Sequence, residues 1–343
     1  MPTRMSVAEL NIVSDSYTGT TQRVAILEKP YHLKIAKASI PEPGPDELRI
    51  KIKYVGICGS DLEAFRGNRK PEFMTFPARL GHEVAGVIDK LGTNINGLHI
   101  GDKVTCRYVW GAYAEYIVCR PFNVQVMPDD FNMKNISLIE ILPGVIHTAE
   151  LSKCDSGRSV LITGQGVSGL MLTQVMALYS PKVLVTTDLK DRNLTLSKKY
   201  GADHTYKIPS PTTRTMDIVG KDYPDGFDIV IPCLLEGNCI IDAIDCARTG
   251  GKVVMYGGIG MCKEPIDFFK VHRRRVEILS TEPKRDIDMY RFFKESINLV
   301  RDGLVNTGEY IDRVFPLSQI QEAFETRDDK SNNVIHVIID VEK

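Results

Sequence analysis

The sequence is poor in the features that mark membrane and secreted proteins. No apolar run approaches the ~18–20 residues that a helix needs to cross a bilayer. Residues 1–21 hold no continuous apolar stretch of the signal-peptide kind. The eight cysteines are scattered rather than grouped into a disulfide framework. We therefore predict a cytoplasmic protein with no membrane partner.

An excess of charge of either sign is also missing. The 43 basic and 44 acidic side chains leave a net charge of −1. This balance excludes the general basic field that nucleic-acid binding requires. A composition of 43% hydrophobic and 25% charged residues is typical of a soluble globular protein. We predict a small-molecule partner and no nucleic acid.

The length of the chain favours two domains. At 343 residues it is too long for one ordinary core. Residues 1–21 are polar and aperiodic, which predicts an N-terminal extension. Short Val- and Ile-rich runs separated by Gly and Pro predict a β-rich domain over 22–150, to which 306–343 return. Residues 151–305 alternate apolar strands with amphipathic helices, which predicts an α/β domain with a parallel sheet.

A glycine-rich motif follows the first strand of this α/β domain. The stretch "VLITGQGVSGL" supplies Gly164, Gly166 and Gly169, with Val167 and Ser168 between them. Glycines allow a tight turn and a close approach of backbone to a pyrophosphate, and the N-terminus of the following helix favours an anion. A bare structural turn is the alternative. The strand, the glycines and the helix together predict dinucleotide binding.

An acidic residue ends the next predicted strand. Asp188 lies nineteen residues after Gly169, where a carboxylate can accept hydrogen bonds from the adenosine ribose and repel a 2′-phosphate. This placement favours NAD over NADP, with capping of a helix as the alternative role. Lys190 and Arg192 follow closely, and they are the candidate contacts for a cofactor phosphate.

Three potential zinc ligands occur in the β-rich domain. Cys58 ends an apolar run, His82 lies in "LGHEVAG", and Glu140 lies in "LIEILPG". Thiolate, imidazole and carboxylate all bind zinc, and three protein ligands plus one open position are typical of a catalytic site. The alternatives are a buried thiol, a core histidine and an exposed glutamate, and spacing alone does not decide between them.

The motifs "PEPGPDELRIKIKYVGICGSD", "LGHEVAGVI", "GDKV", "GAYAEYIV", "GQGVSG" and "FPLSQIQEAFE" resemble those of the zinc-dependent medium-chain alcohol and polyol dehydrogenases, of the sorbitol and threonine dehydrogenase kind. The resemblance extends over nearly the whole chain. It implies a GroES-like β-rich catalytic domain and a Rossmann NAD-binding domain. It also implies a homo-oligomer.

The resemblance assigns roles to individual residues. Cys58, His82 and Glu140 match zinc ligands, and Glu83 matches an acid beside the zinc that is a ligand in some states. Ser60 matches the hydroxyl that takes the substrate proton. The implied reaction is zinc-assisted hydride transfer between an alcohol and NAD⁺. A zinc-independent quinone-reductase-like relative and a non-catalytic NAD-binding protein are the alternatives from other classes.

Two departures from the family pattern are visible. Position 63 carries Glu where many members have a relay histidine, so Glu63 becomes the candidate outlet of the proton path. The segment 101–119 has only Cys106 and Cys119 where many members hold a structural zinc with four cysteines. We therefore predict one catalytic zinc and no structural zinc. Thr281, Glu282 and Arg285, expected near the pocket, would with Glu63 suit a polyol, sugar or cyclitol substrate, including amino-bearing ones. Simple exposure of these side chains to solvent is the alternative, and a simple secondary alcohol is the rival substrate.

Overall fold

The computed structural model describes residues 11–14, 16–71, 73–234, 236–257, 260 and 262–343. The chain divides into two compact units. The first unit comprises Met1–Ile141, Lys284–Ile297 and Thr307–Lys343, and the second comprises Leu142–Pro283 and Asn298–Asn306. The domain boundaries that the sequence suggests, at 150/151 and 305/306, stay predictions.

Most of the predicted N-terminal extension lies outside the described residues, which begin at Asn11. The part that is described is paired with the sheet. Backbone N–H groups of Val13 and Ser39 donate to the carbonyls of Lys37 and Asn11, at 3.1 Å each. The segment is therefore attached to the second strand of the first unit.

Alternation of apolar and polar side chains builds the strands of the first unit. In the third strand Leu48, Ile50 and Ile52 are buried while Arg49 and Lys51 are half-buried, as expected for a sheet with one face on a core. The elements in this part of the chain are β1 (Thr21–Lys29), β2 (His32–Ser39), β3 (Leu48–Gly56), α1 (Gly59–Phe65), β4 (Glu83–Leu91), β5 (Lys103–Cys106), β6 (Tyr116–Cys119), β7 (Val124–Val126) and α2 (Met133–Ile136), with 3₁₀ turns at Pro121–Asn123 and Ser137–Glu140.

The second unit contains a six-stranded sheet in which all paired strands are parallel. Its strands follow the order β10-β9-β8-β11-β12-β13, which is the doubly wound Rossmann arrangement. The elements from the start of this unit are α3 (Leu142–Ser152), β8 (Ser159–Thr163), α4 (Val167–Leu178), β9 (Val183–Asp188), α5 (Asp191–Lys199), β10 (His204–Lys207), α6 (Thr215–Val219), β11 (Phe227–Pro232), α7 (Cys239–Cys246), β12 (Ala247–Met255), α8 (Phe268–Arg274) and β13 (Glu277–Ser280), and α9 (Tyr290–Arg301) follows after a 3₁₀ turn at Asp286–Met289.

The last strand of the chain belongs to the sheet of the first unit. The closing elements are β14 (Ile311–Pro316), a 3₁₀ turn at Leu317–Gln319, α10 (Ile320–Asp328) and β15 (His336–Asp340). The seven-stranded sheet has the order β14-β15-β3-β4-β5-β7, with β6 paired to β3. Strand β15 runs antiparallel to β3, with Ile338 opposite Gly56. No helix among the described residues is long and apolar enough to span a bilayer.

Candidate metal centre and nucleotide loop

Three side chains of different chemistry converge in the first unit. Cys58 precedes α1 as its N-cap, while His82 and Glu83 lie at the start of β4. One ligand atom from each of these residues lies within 4.8 Å of the others. Gly81 adopts φ +94°, which turns the chain just before His82 and is a conformation that favours glycine. We call Cys58, His82 and Glu83 the metal cluster.

A buried carboxylate supports this cluster. Asp61 is 1% exposed and accepts hydrogen bonds from the backbone N–H groups of Gly81 and Cys58, at 3.2 Å each. The Tyr113 hydroxyl lies 3.0 Å from Asp61 Oδ2. Asp61 Oδ1 lies 3.6 Å from His82 Nδ1. A carboxylate behind one ring nitrogen leaves the other nitrogen, Nε2, available to a metal.

Charge and burial shape the protonation of the cluster. Burial alone would lower the pKa of His82, but the negative charges of Asp61 and Cys58 outweigh it and hold that pKa well above its ordinary value. Burial and the charge of Glu83 raise the pKa of the Cys58 thiol. The cluster is therefore rich in buried acidic groups, and a cation would relieve their mutual repulsion.

A histidine from the last strand reaches the cluster. Nε2 of His336, on β15, lies 3.0 Å from Glu83 Oε2, and the two side chains are 2% and 1% exposed. This contact lacks hydrogen-bond geometry, and both buried oxygens of Glu83 have no hydrogen-bond partner. Gly56 leaves the space for this approach, because a Cβ there would lie 1.9 Å from Glu83 Oε2 and 2.6 Å from His336 Nε2.

The donor set fits zinc. A thiolate and a carboxylate neutralise a divalent cation, and an imidazole completes a three-ligand set of the catalytic type. The oxygens of Glu83, which accept no hydrogen bond, point to the same conclusion, because buried polar atoms ordinarily have hydrogen-bond partners. Cys58, His82 and Glu83 are therefore the residues that would hold the metal.

Glu140, the third ligand suggested by the sequence, is not brought into the metal cluster. It ends the 3₁₀ turn Ser137–Glu140, and its Oε1 accepts a hydrogen bond of 2.9 Å from Nη1 of Arg107. The same Arg107 nitrogen also donates to the backbone carbonyl of Glu140. The carboxylate that lies with Cys58 and His82 is that of Glu83, which the resemblance placed beside the zinc.

The two residues suggested for proton transfer lie in α1. Ser60 is half-buried, and its Oγ lies 3.5 Å from His82 Nε2. One turn later, both carboxylate oxygens of Glu63 accept hydrogen bonds, at 2.6 Å from Arg66 and at 2.9 Å from Asn68. The structure thus brings Ser60 to the metal cluster, whereas Glu63 is engaged by its own neighbours.

The segment 101–119 contributes packing and an aromatic contact. Cys106 and Cys119 are buried core residues of β5 and β6. The ring of Trp110, the single tryptophan, lies 4.4 Å from the ring of His82, centroid to centroid. Trp110 therefore packs on one of the cluster's ligands.

In the second unit, the glycine loop and Asp188 meet at the carboxyl ends of neighbouring strands. Gly164 follows β8 with φ +87°, and Gly166 caps α4. Asp188 Oδ2 accepts a hydrogen bond of 2.6 Å from the backbone N–H of Gln165. Its Oδ1 accepts from the N–H of Lys190 at 2.8 Å, just ahead of α5. Arg192 lies in the first turn of α5, and Val167 and Ser168 in that of α4.

Comparison with known proteins agrees with this architecture. The family model of the alcohol dehydrogenase GroES-like domain matches residues 44–129, and that of the zinc-binding dehydrogenases matches residues 168–293. Together the two models cover more than half of the chain. The chain belongs to the zinc-dependent medium-chain dehydrogenases. The fold class that the sequence predicts, a GroES-like domain with a Rossmann domain, is confirmed.

Similarity to individual dehydrogenases extends along almost the whole chain. D-xylulose reductase of Saccharomyces cerevisiae is 27% identical, with 94% of this chain and 98% of that protein aligned. Sorbitol dehydrogenase of Bacillus subtilis is 26% identical, with 92% and 96% aligned. The solved structure of galactitol-1-phosphate dehydrogenase from Escherichia coli has a TM-score of 0.79 at 21% identity, over 93% of this chain and 100% of that one, and so has the same fold.

As a medium-chain dehydrogenase, the protein is a zinc-dependent oxidoreductase that acts on CH–OH groups with NAD(P). The roles of its individual residues stay predictions. Two residues that contact the metal cluster were not among the candidates from the sequence, namely Asp61 and His336, and neither was Arg107, which contacts Glu140. A polar residue inside the apolar run "VIHVIID" is the one signal that singles out His336. Asp61 closes the quoted motif "CGSD", whereas Arg107 carries no comparable signal.

Two glycines of the nucleotide loop should respond differently to substitution by alanine. A Cβ at Gly169 would lie 2.0 Å from the carbonyl oxygen of Gly164, so we expect Gly169→Ala to destabilise the fold by about 1–3 kcal/mol through overpacking. A Cβ at Gly166 meets no described atom within 4 Å, and φ is −71° there. The free energy of unfolding of Gly166→Ala should therefore stay within about 0.5 kcal/mol of wild type.

The glycine motif predicts that a cofactor phosphate approaches the backbone at Gly166. We expect Gly166→Ala to weaken NADH binding by roughly tenfold or more, about 1.4 kcal/mol, while it melts like wild type. Thermal unfolding and NADH titration measure the two effects on the same samples. Wild-type NADH affinity in Gly166→Ala would show that the glycine loop does not contact the cofactor.

Proposed function

We propose that this dehydrogenase interconverts a polyol, sugar or cyclitol with the corresponding ketone, with NAD as cofactor and one zinc held by Cys58, His82 and Glu83. The observation that carries the proposal is the convergence of these ligand atoms within 4.8 Å, with both Glu83 oxygens buried and without a hydrogen bond. Relatives named for D-xylulose and sorbitol support a polyhydroxylated substrate. Amino-bearing polyols and sugars are a subset of this class to be tested.

The reaction assigns distinct tasks to the residues around the cluster. Cys58, His82 and Glu83 would hold a zinc that would supply Lewis-acid chemistry to the alcohol, and NAD⁺ would supply the hydride acceptor. The carboxylate of Asp61, 3.6 Å from His82 Nδ1, favours the ring orientation that leaves Nε2 for the metal. Ser60 Oγ, beside His82, receives the substrate proton. Glu63 stands one turn further along α1, as the outlet of that proton.

A substrate screen tests the proposal. Polyols, cyclitols, amino sugars and simple secondary alcohols are each offered with NAD⁺, and NADH absorbance is followed. We expect the highest kcat/KM among the polyhydroxylated compounds. A clear preference for simple secondary alcohols would contradict the proposed substrate class. Turnover by a verified metal-free sample would contradict the zinc mechanism and indicate a zinc-independent reductase.

Metal analysis should give one zinc per chain. Among the described residues, Cys58, His82 and Glu83 form the one group of three or more ligand side chains close enough to share an ion. A structural site would need four closed ligands, and Cys106 and Cys119 are buried in separate strands. Mass spectrometry of the native protein gives the count, and two zincs per chain would contradict it.

Cofactor choice should depend on Asp188. We expect kcat/KM with NAD⁺ to exceed that with NADP⁺ by tenfold or more, about 1.4 kcal/mol, because a carboxylate repels the 2′-phosphate. Asp188→Asn should narrow the ratio, since the amide oxygen keeps an acceptor but loses the charge. Asp191→Asn is the matched control, because the exposed Asp191 pairs with Lys207. Equal turnover with both cofactors in the wild type would exclude this role.

The cytoplasmic location and the homo-oligomeric state stay predictions.

A further inference from the structure

A buried asparagine contacts the carboxylate proposed to select the cofactor. Asn193 lies in the first turn of α5 and is 6% exposed. Its Nδ2 donates a hydrogen bond of 3.2 Å to Asp188 Oδ1. Its backbone N–H donates to the carbonyl of Lys190 at 3.1 Å, and the N–H of Lys190 donates to the same Asp188 oxygen. The start of α5 is therefore tied to the end of β9 through one carboxylate oxygen.

The orientation of the Asn193 amide follows from its partner. An ionised carboxylate only accepts hydrogen bonds, so the amide turns its NH₂ group, and not its oxygen, towards Asp188. Oδ1 of Asn193 is then left inside the protein, and among the described residues no hydrogen bond reaches it. A buried acceptor without a hydrogen bond costs stability. An apolar side chain would not carry this cost, so packing alone does not explain an asparagine at this position.

The hydrogen bonds of Asp188 determine what its carboxylate can still offer to a ligand. An ionised carboxylate has about four acceptor positions. Oδ1 takes the donors of Lys190 and Asn193, and Oδ2 takes the backbone N–H of Gln165 at 2.6 Å. The remaining acceptor position is therefore on Oδ2, at the carboxyl end of β9 and beside the glycine loop. Asp188 is half-buried, so part of it stays open to a ligand.

Helix α5 holds Asn193 in a fixed place relative to β9. One turn after Asn193, Ser197 Oγ lies 2.7 Å from Thr186 Oγ1 of β9, and both of these residues are fully buried. The hydroxyl contact joins the helix to the strand that ends at Asp188. Nδ2 of Asn193 is therefore presented at a constant position, and the Asp188 carboxylate cannot rotate without giving up that hydrogen bond.

We propose that Asn193 is a positioning residue for cofactor choice, because it holds Oδ1 of Asp188 and so keeps the open acceptor position of Oδ2 aimed at the adenosine ribose. A fixed carboxylate accepts a hydrogen bond from a ribose hydroxyl and repels a 2′-phosphate. A carboxylate that is free to rotate can turn away from the phosphate, and it then discriminates less. The inference rests on the role in cofactor choice proposed for Asp188.

Equilibrium binding of NADH and NADPH tests this role without a substrate. The zinc-loaded protein is titrated with each reduced cofactor, and the fluorescence of the nicotinamide is followed. In Asn193→Leu we expect the Kd of NADH to rise about tenfold or more, while the Kd of NADPH stays within about threefold of wild type. The same samples should unfold at or above the wild-type temperature, because the buried oxygen without a hydrogen bond has been removed.

Two further variants complete the comparison. Asn193→Asp keeps the size of the side chain, loses the donor and faces Asp188 with a second negative charge, so NADH binding should weaken at least as much as in Asn193→Leu. Asn193→Asp also carries the test if Asn193→Leu does not fold. Asn298→Leu is the matched control, because Asn298 is exposed on α9, and both Kd values should stay at those of wild type.

The outcomes separate this role from a structural one and from the role of Asp188. An unchanged Kd of NADH in Asn193→Leu, or an equal weakening of NADH and NADPH binding, would overturn the inference. A lower unfolding temperature with an unchanged ratio of the two Kd values would show that Asn193 only stabilises the fold. A wild type that binds NADH and NADPH equally would remove the proposed role of Asp188 as well, whereas a wild type that prefers NADH beside an unaffected Asn193→Leu would remove the role of Asn193 alone.

Discussion

Gly56→Ala should abolish zinc binding and activity, although Gly56 has no side chain of its own to contribute. Its Cβ would lie 1.9 Å from Glu83 Oε2 and 2.6 Å from His336 Nε2, and Cβ contacts under 3.0 Å do not occur. Both neighbours are buried, so neither can move into solvent without disrupting the sheet. The carboxylate must leave its place in the metal cluster.

The expected size of this effect exceeds the 10–100-fold loss of metal affinity that is typical when a supporting residue is changed, because a ligand itself is displaced. Zinc per chain by mass spectrometry and kcat with the best substrate measure it. Gly157→Ala is the matched control, since the added Cβ meets only the side chain of Asp155, at 3.3 Å. Cys58→Ser gives the reference for a lost ligand. One zinc per chain and wild-type turnover in Gly56→Ala would refute the assignment of Glu83 as a ligand.

Ser60→Ala should lower kcat by roughly 10²–10⁴-fold, the range of a positioned acid–base group. Ser60 is half-buried beside His82 Nε2, at the edge of the imidazole ring that would meet the metal. Among the residues that the structure describes, no other hydroxyl has a hydrogen-bond contact with that nitrogen. Zinc content should be unchanged, because the serine is not a ligand.

Glu63→Gln should cost much less than Ser60→Ala. Arg66 and Asn68 already occupy both Glu63 oxygens, and water can take over at the outer end of the proton path. Rates of hydride transfer measured in single-turnover mixing experiments compare the two variants directly. If Glu63→Gln proved as damaging as Ser60→Ala, the two roles would have to be reassigned.

The nucleotide loop was predictable from the sequence because its geometry is local. Strands β8 and β9 are parallel neighbours with Thr163 opposite Thr187, so the residues that follow them meet at one edge of the sheet. The glycine spacing and the acid at the end of the second strand are both visible in the sequence. The contact between Gln165 and Asp188 follows from that arrangement.

The metal cluster was predictable only in part, because it depends on contacts between distant segments. The structure brings Cys58 and His82 together with Glu83, while Glu140 contacts Arg107 instead, and their roles as ligands stay predictions. The contact between Arg107 and Glu140 joins the end of β5 to the turn Ser137–Glu140. No periodicity in the sequence predicts that packing. The approach of His336 depends on the register of β15 against β3.

The position of β15 has a consequence for the order in which the chain can fold during synthesis. The sheet that carries Glu83 receives a central strand, between β14 and β3, only after residues 336–340 have been made. The whole of the second unit precedes them, and its strands pair over shorter separations in sequence. Because units generally fold as their residues emerge from the ribosome, the nucleotide-binding unit can fold while the metal-binding unit still lacks a strand. Zinc capture with His336 in place is then among the last steps in the maturation of the enzyme.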